Sequence, residues 1–280
     1  MSAAKQKSPP APTTDLAAAM AASAASLTRQ GSGIGTLRER TLHSTLKFLL
    51  EPDERRHEVP LGGCVADIFD GECVTEVQTG SLYPLQKKLA TLLADVPVTV
   101  VMPLAREKWV GWIDPATGER GDLRRSPKRG TFADALAELW WVREFWQPGA
   151  WAHPFTVRVL LIDLVETRLQ DGWGRDGKRG AHRADRVPLA VADEYRVECD
   201  ADVAALLPPL PDPFTRGDLS RALGRRGRAF SQALRLLEQC GAIVRCGKRG
   251  NAFLYTRAGE NRPLVYNKEY SARLYKMKRR

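Results

Sequence analysis

The chain has 280 residues, of which 43% are hydrophobic, enough for one large domain or two ordinary ones with real cores. Its formal net charge is +10, an excess that favours polyanionic partners, because phosphate neutralisation drives most nucleic-acid affinity. No apolar run approaches the roughly 18 residues that span a bilayer, the N-terminus lacks the apolar core of a secretory signal, and the five cysteines form no Cys-x-x-Cys pair; these features predict a cytoplasmic protein without a membrane segment or zinc centre.

Residues 1–34 are rich in Ala, Ser, Pro and Thr and predict a flexible tail, with at most a transient helix near Leu16–Leu27. Order is expected from "GTLRERTLHSTLKFLLE", where Leu37, Leu42, Leu46, Leu49 and Leu50 fall near helical spacing. Thr36-x-x-Glu39 has the form of a capping box and would start that helix at Thr36. "RRHEVPLGG" reads as a strand and turn, and "VADIFDGECVTEVQTG" as two strands about an Asp70-Gly71 turn. "LYPLQKKLATLLADV" is a helix with its leucines on one side and Lys87 and Lys88 nearer the other. "PVTVVMPLA" is a continuously apolar, buried strand. Helix, three strands, helix, strand predicts an α/β fold, a mixed sheet flanked by helices.

Beyond it, "REKWVGWIDPATGERGDLRRSPKRG" reads as a polar, basic stretch and "TFADALAELWWVREFW" as a helix. "FTVRVLLIDLVETRLQD" and "VPLAVADEYRVEC" read as strands around a basic, Gly-rich loop. These elaborate a first domain over 35–207. "PPLPDP" marks a boundary, and 208–257 gives helix, turn, helix and a hairpin tipped by "GKRG", the winged helix-turn-helix pattern. From Pro213 to Arg257 there are ten Lys or Arg against two Asp or Glu. Arg225, Arg226, Arg228, Arg235, Lys248 and Arg249 are therefore the DNA-contact candidates; the alternative is a helical packing domain with solvated arginines. The tail, 258–280, reads as a basic phosphate-binding arm.

The hairpin at Asp70-Gly71 carries the chemistry. A tight two-residue turn sets Phe69 opposite Glu72 and Asp67 opposite Val74, so Asp67, Glu76 and Gln78 share one face and Asp67 and Glu76 are diagonal neighbours. Two carboxylates so placed can hold a hard divalent cation, Mg2+ or Mn2+, that activates water at a phosphate. The competing reading is a wet hairpin face that is acidic for solubility alone.

These residues resemble the PD-(D/E)xK nuclease superfamily, the restriction-endonuclease-like fold, in its Holliday-junction-resolvase-like form. "GTLRERTLHSTL" supplies Glu39, "VADIF" supplies Asp67, and "TEVQT" supplies Glu76 and Gln78, over about Gly35 to Pro103. The chain also resembles bacterial proteins that join such a domain to a C-terminal winged helix. The resemblance implies Asp67, Glu76 and the Val77 carbonyl as metal ligands and Glu39 as an assisting carboxylate. His43, one turn after Glu39, could face the same cleft, although a solvated helical histidine is the simpler expectation. Gln78 stands where the family pattern has lysine. Glutamine can orient water but lacks the ammonium charge. Lys87 or Lys88 could reach back to replace it, although solvation is the simpler expectation for each. Two functions follow: a metal-dependent nuclease acting on DNA, or a non-catalytic DNA-binding regulator on a retired nuclease scaffold. Monomer and homodimer are both open.

Overall fold

The computed structural model describes residues 8–29, 40–173 and 179–258. They fall into two compact units, one up to Glu198 and one from Cys199 onward. Glu39, the Thr36–Glu39 box, the tip of the Gly-rich loop at 174–178 and the basic tail from 259 onward lie outside the described residues.

The first unit is mixed α/β. Its helices are α1 (Thr14–Arg29), α2 (Arg40–Leu50), α3 (Gln86–Leu92) and a single turn, α4 (Leu136–Leu139). Its strands are β1 (His57–Leu61), β2 (Cys64–Phe69), β3 (Val74–Val77), β4 (Val98–Ile113), β5 (Arg124–Arg125), β6 (Phe155–Trp173) and β7 (Arg179–Val197). Among the described residues they form one sheet in the order β1-β2-β3-β4-β6-β7, with β5 added to the far end of β4. The β3–β4 and β4–β6 pairs are parallel; β1–β2, β2–β3 and β6–β7 are antiparallel. A mixed sheet flanked by helices is thus present. Leu42 and Leu46, one turn apart on α2, bury themselves against Val77, Val101, Leu160, Ile162 and Leu164.

Three expectations about the chain give way here. The stretch expected to be a tail contains α1, which packs on α2 and β7. Leu16, Ala19, Ser23 and Ser26 recur at helical spacing and are buried. Small side chains let the two helices approach closely, and Ser23 Oγ donates to Ser44 Oγ at 2.6 Å. Low bulk, which suggested disorder, is what this close approach uses. Second, the polar stretch after Ala105 continues as β4 to Ile113, in register with β6 from Lys108↔Leu164 to Ile113↔Leu169. Its charged residues find partners across the ladder: Arg106 grips Asp163 through Nε and Nη2 at 2.9 and 2.5 Å, and Lys108 meets Glu166 at 3.0 Å. Paired charge replaces the apolar pattern by which a strand is recognised. The Gly-rich loop likewise shrinks, since β6 and β7 extend to Trp173 and from Arg179. Third, the helix expected over 131–146 is broken into two 3-10 turns around α4, with Trp146 stacked on Phe155 at 6.3 Å.

The second unit contains α5 (Asp200–Ala205), β8 (Phe214–Thr215), α6 (Arg216–Ala222), α7 (Gly227–Gln239), β9 (Ile243–Arg249) and β10 (Ala252–Arg257). Thr215 and Asp218 cap α6 reciprocally: Thr215 N–H donates to the Asp218 carboxylate at 2.9 Å, and Asp218 N–H to Thr215 Oγ1 at 3.2 Å. Phe230, Leu234 and Leu237 of α7 face the core with Phe214, Leu219 and Tyr255. The three strands pair as β8-β10-β9. Arg249 pairs with Ala252, so the turn is Gly250-Asn251 and the expected tip residues Lys248 and Arg249 belong to β9. Gly250 has φ +58°, the left-handed conformation this turn demands.

Candidate active site

The β2–β3 hairpin differs from its expected register by two residues. Phe69 lies opposite Val74 and Ile68 opposite Thr75. The connection is Asp70–Cys73, held by Asp70 itself, whose Oδ1 accepts from the N–H groups of Glu72 and Cys73, both at 2.8 Å. That side-chain turn displaces the tight Asp-Gly turn. The paired positions end at Ile68 and Thr75, so Asp67 and Glu76 lie just beyond the paired stretch and are joined through their side chains rather than as the expected diagonal neighbours.

At that pair the ladder opens and side chains bridge it. Asp67 N–H donates to Glu76 Oε1 at 3.1 Å, and Val77 N–H donates to Asp67 Oδ2 at 2.8 Å. Each carboxylate thus satisfies a backbone donor of the other strand. Val77 packs under α2, and strand alternation sends Glu76 the other way, where it meets α3: Lys88 Nζ lies 2.5 Å from Glu76 Oε2. His43 of α2 reaches Asp67, with Nε2 at 3.1 Å from Oδ2.

The Glu76 side chain is 3% exposed and the Asp67 side chain 16%. Burial and the neighbouring Asp67 charge push the Glu76 carboxyl above its ordinary 4.5, with Lys88 pulling the other way. Burial also pushes Asp67 up, but the bond and charge of His43 and the Val77 amide outweigh it, leaving that carboxyl below its ordinary 3.8. Two adjacent carboxyls with divergent proton affinities can hold different protonation states.

The other residues singled out in the sequence are placed as follows. Gln78 Nε2 donates to the Ser81 carbonyl at 2.6 Å, so its amide is spent within its own loop. Glu138 ties the same loop down, accepting from Ser81 Oγ and Leu82 N–H at 2.8 and 2.9 Å. Lys87 is exposed, as expected for a solvated helix lysine, whereas Lys88 is turned to Glu76. His43 sits on Asp67 rather than in solvent. For Lys88 the available signal is its place one residue before the buried Leu89, on the flank of the apolar face. In the second unit Arg226, Arg228, Arg235, Lys248 and Arg249 are exposed and Arg225 is half-buried.

Two hard carboxylates are the donor type that magnesium accepts, with water completing the shell. Among the described residues no group of three or more His, Cys, Asp or Glu side chains converges as a metal-binding set. A cation held by Asp67 and Glu76 would take the place of the Lys88 ammonium on Glu76 Oε2, and the residues fit it in kind.

No solved structure matches the chain. An uncharacterized protein of Treponema pallidum (strain Nichols) is 31% identical over 234 residues, covering 82% of this chain and 90% of that protein. A family profile described as a domain of unknown function (DUF8091) matches residues 40–198, ending where the first unit ends. The chain belongs to that family.

Proposed function

We propose that the first unit is a restriction-endonuclease-like domain of PD-(D/E)xK type that hydrolyses phosphodiester bonds in DNA with Mg2+ or Mn2+, and that the second unit is a winged helix that docks it on DNA. The observation that carries this reading is Lys88 on Glu76. In this reading an ammonium supplied by α3 provides the charge that Gln78 lacks in the sequence pattern. In this reading Asp67 and Glu76 hold the cation, which supplies Lewis acidity and an activated water. His43 keeps Asp67 ionised and oriented. Lys88, once released from Glu76, presents positive charge to the phosphate, the kind of preorganised contact whose loss costs about 10²–10³ in turnover. Arg226, Arg228 and Arg249 supply backbone contacts without sequence information.

One observation favours a second reading, a non-catalytic DNA-binding regulator. Three of the four oxygens of the acidic pair already accept protein donors, which is how a retired metal site is stabilised. The experiment is incubation of duplex, single-stranded and branched DNA with the full chain, with Mg2+ or Mn2+. Metal-dependent cleavage that disappears in Asp67→Ala establishes the nuclease. Binding without cleavage under every divalent cation establishes the regulator.

A further inference from the structure

We propose that the β9–β10 hairpin carries a stacking platform for an unpaired base, with Phe253 as the stacking ring. This rests on the reading of the second unit as a nucleic-acid-binding module and adds its substrate class: a strand with at least one base outside a duplex.

The hairpin contains a column of alternating rings and cations. Phe214 and Tyr255 stack in the core at 5.9 Å and 20°. Arg245 lies opposite Tyr255, its guanidinium carbon 5.9 Å from that ring and 4.8 Å from the ring of Phe253, two residues further out on β10. Lys248 lies opposite Phe253, with Nζ 4.8 Å from the same ring. Glu238 of α7 fixes the inner cation, accepting from Arg245 Nε at 3.0 Å.

The column ends in solvent. Phe253 is 40% exposed, whereas Tyr255 is 1% exposed. A hairpin this far from the core gains little from a large ring, and a polar residue would serve solubility better. What the column provides is an exposed ring with two cations, Arg245 and Lys248, over it. That combination suits a nucleotide: Lys248, the outer cation on an exposed and flexible side chain, swings off the ring to an adjoining phosphate, and the base takes its place on the ring face. A phenyl ring has no hydrogen-bonding group, so it cannot read the donor and acceptor pattern of a base edge. In a duplex the base faces are covered by stacking; in an unpaired strand they are open.

The test is fluorescence anisotropy with the full-length protein in EDTA, which separates binding from cleavage, using labelled oligothymidylate and a blunt duplex of equal length. Phe253→Ala and Phe253→Leu are each expected to weaken single-strand binding about ten-fold or more, leaving the duplex within about two-fold and the salt slope unchanged. Phe253→Trp retains wild-type affinity. Phe253→Leu keeps apolar packing over Arg245, so single-strand binding by that variant equal to wild type overturns the proposal, as does an equal loss on both DNAs. Absence of binding by the wild type overturns the nucleic-acid reading beneath it, whereas absence of cleavage alone leaves this inference standing.

Discussion

The acidic pair of the first unit and the cationic hairpin of the second use charge in opposite ways. Glu76 is buried and Asp67 half-buried, and backbone donors, His43 and Lys88 bond to them, so their energetics are set by desolvation and close hydrogen bonds. Lys248 and Arg249 are exposed on β9, where charge acts through screening and counterion release. The difference teaches what each region can be asked to do. A buried, compensated pair can change protonation or exchange a partner, whereas an exposed stripe can attract a polyanion without altering the fold.

The comparison breaks first at the core that supports the acidic pair. Leu46→Ala removes a fully buried side chain between α2 and the sheet and is expected to cost about 2–5 kcal/mol of stability in urea titration; the proposed docking of the second unit on duplex DNA predicts that binding is retained. Lys88→Ala should lower metal-dependent cleavage about 100-fold while anisotropy in EDTA reports unchanged DNA affinity; equal loss of both would place Lys88 in the docking surface instead. The acidic pair should also show its own pH dependence. A protonated carboxyl is no ligand, so Mn2+ affinity measured by calorimetry should fall as pH decreases, with a midpoint above 4.5 set by Glu76. Asp67, whose carboxyl is held below 3.8, stays ionised through that transition. In the exposed hairpin, Arg249→Gln should reduce the slope of log affinity against log salt by about 1 with no change in melting temperature. The smallest effect is expected for Gln78→Ala, less than about two-fold on cleavage, because the Gln78 amide is committed to Ser81 and loses one modest hydrogen bond.

The parts of the molecule legible in the sequence were those written in apolar periodicity. Leu42 and Leu46, the buried run at Val98–Met102, and Phe230, Leu234 and Leu237 all occupy the cores their spacing implied. That Asp67 and Glu76 come close together is legible too, but the turn is not: the Asp70 carboxylate competes for backbone donors that a two-residue turn would leave differently placed. Contacts resting on paired charge were illegible. The outer half of β4 reads as a polar loop because Arg106 and Lys108 are satisfied only by Asp163 and Glu166, more than fifty residues away. Lys88 reads as solvated for the same reason, since its partner is known only once α3 is set against β3.

Helix α1 carries a practical consequence. The family match begins at residue 40, yet the strip of α2 around Ser44 is covered by residues that precede it, and Thr13 N–H is bonded to the Leu189 carbonyl at 2.8 Å. A protein trimmed to the family match would leave that strip wet and the end of a helix pair unmatched. Because α2 also carries His43, the loosened helix would shift the group that keeps Asp67 charged. The physical domain therefore begins no later than Thr13, and recombinant boundaries drawn at the family match would cut through its packing.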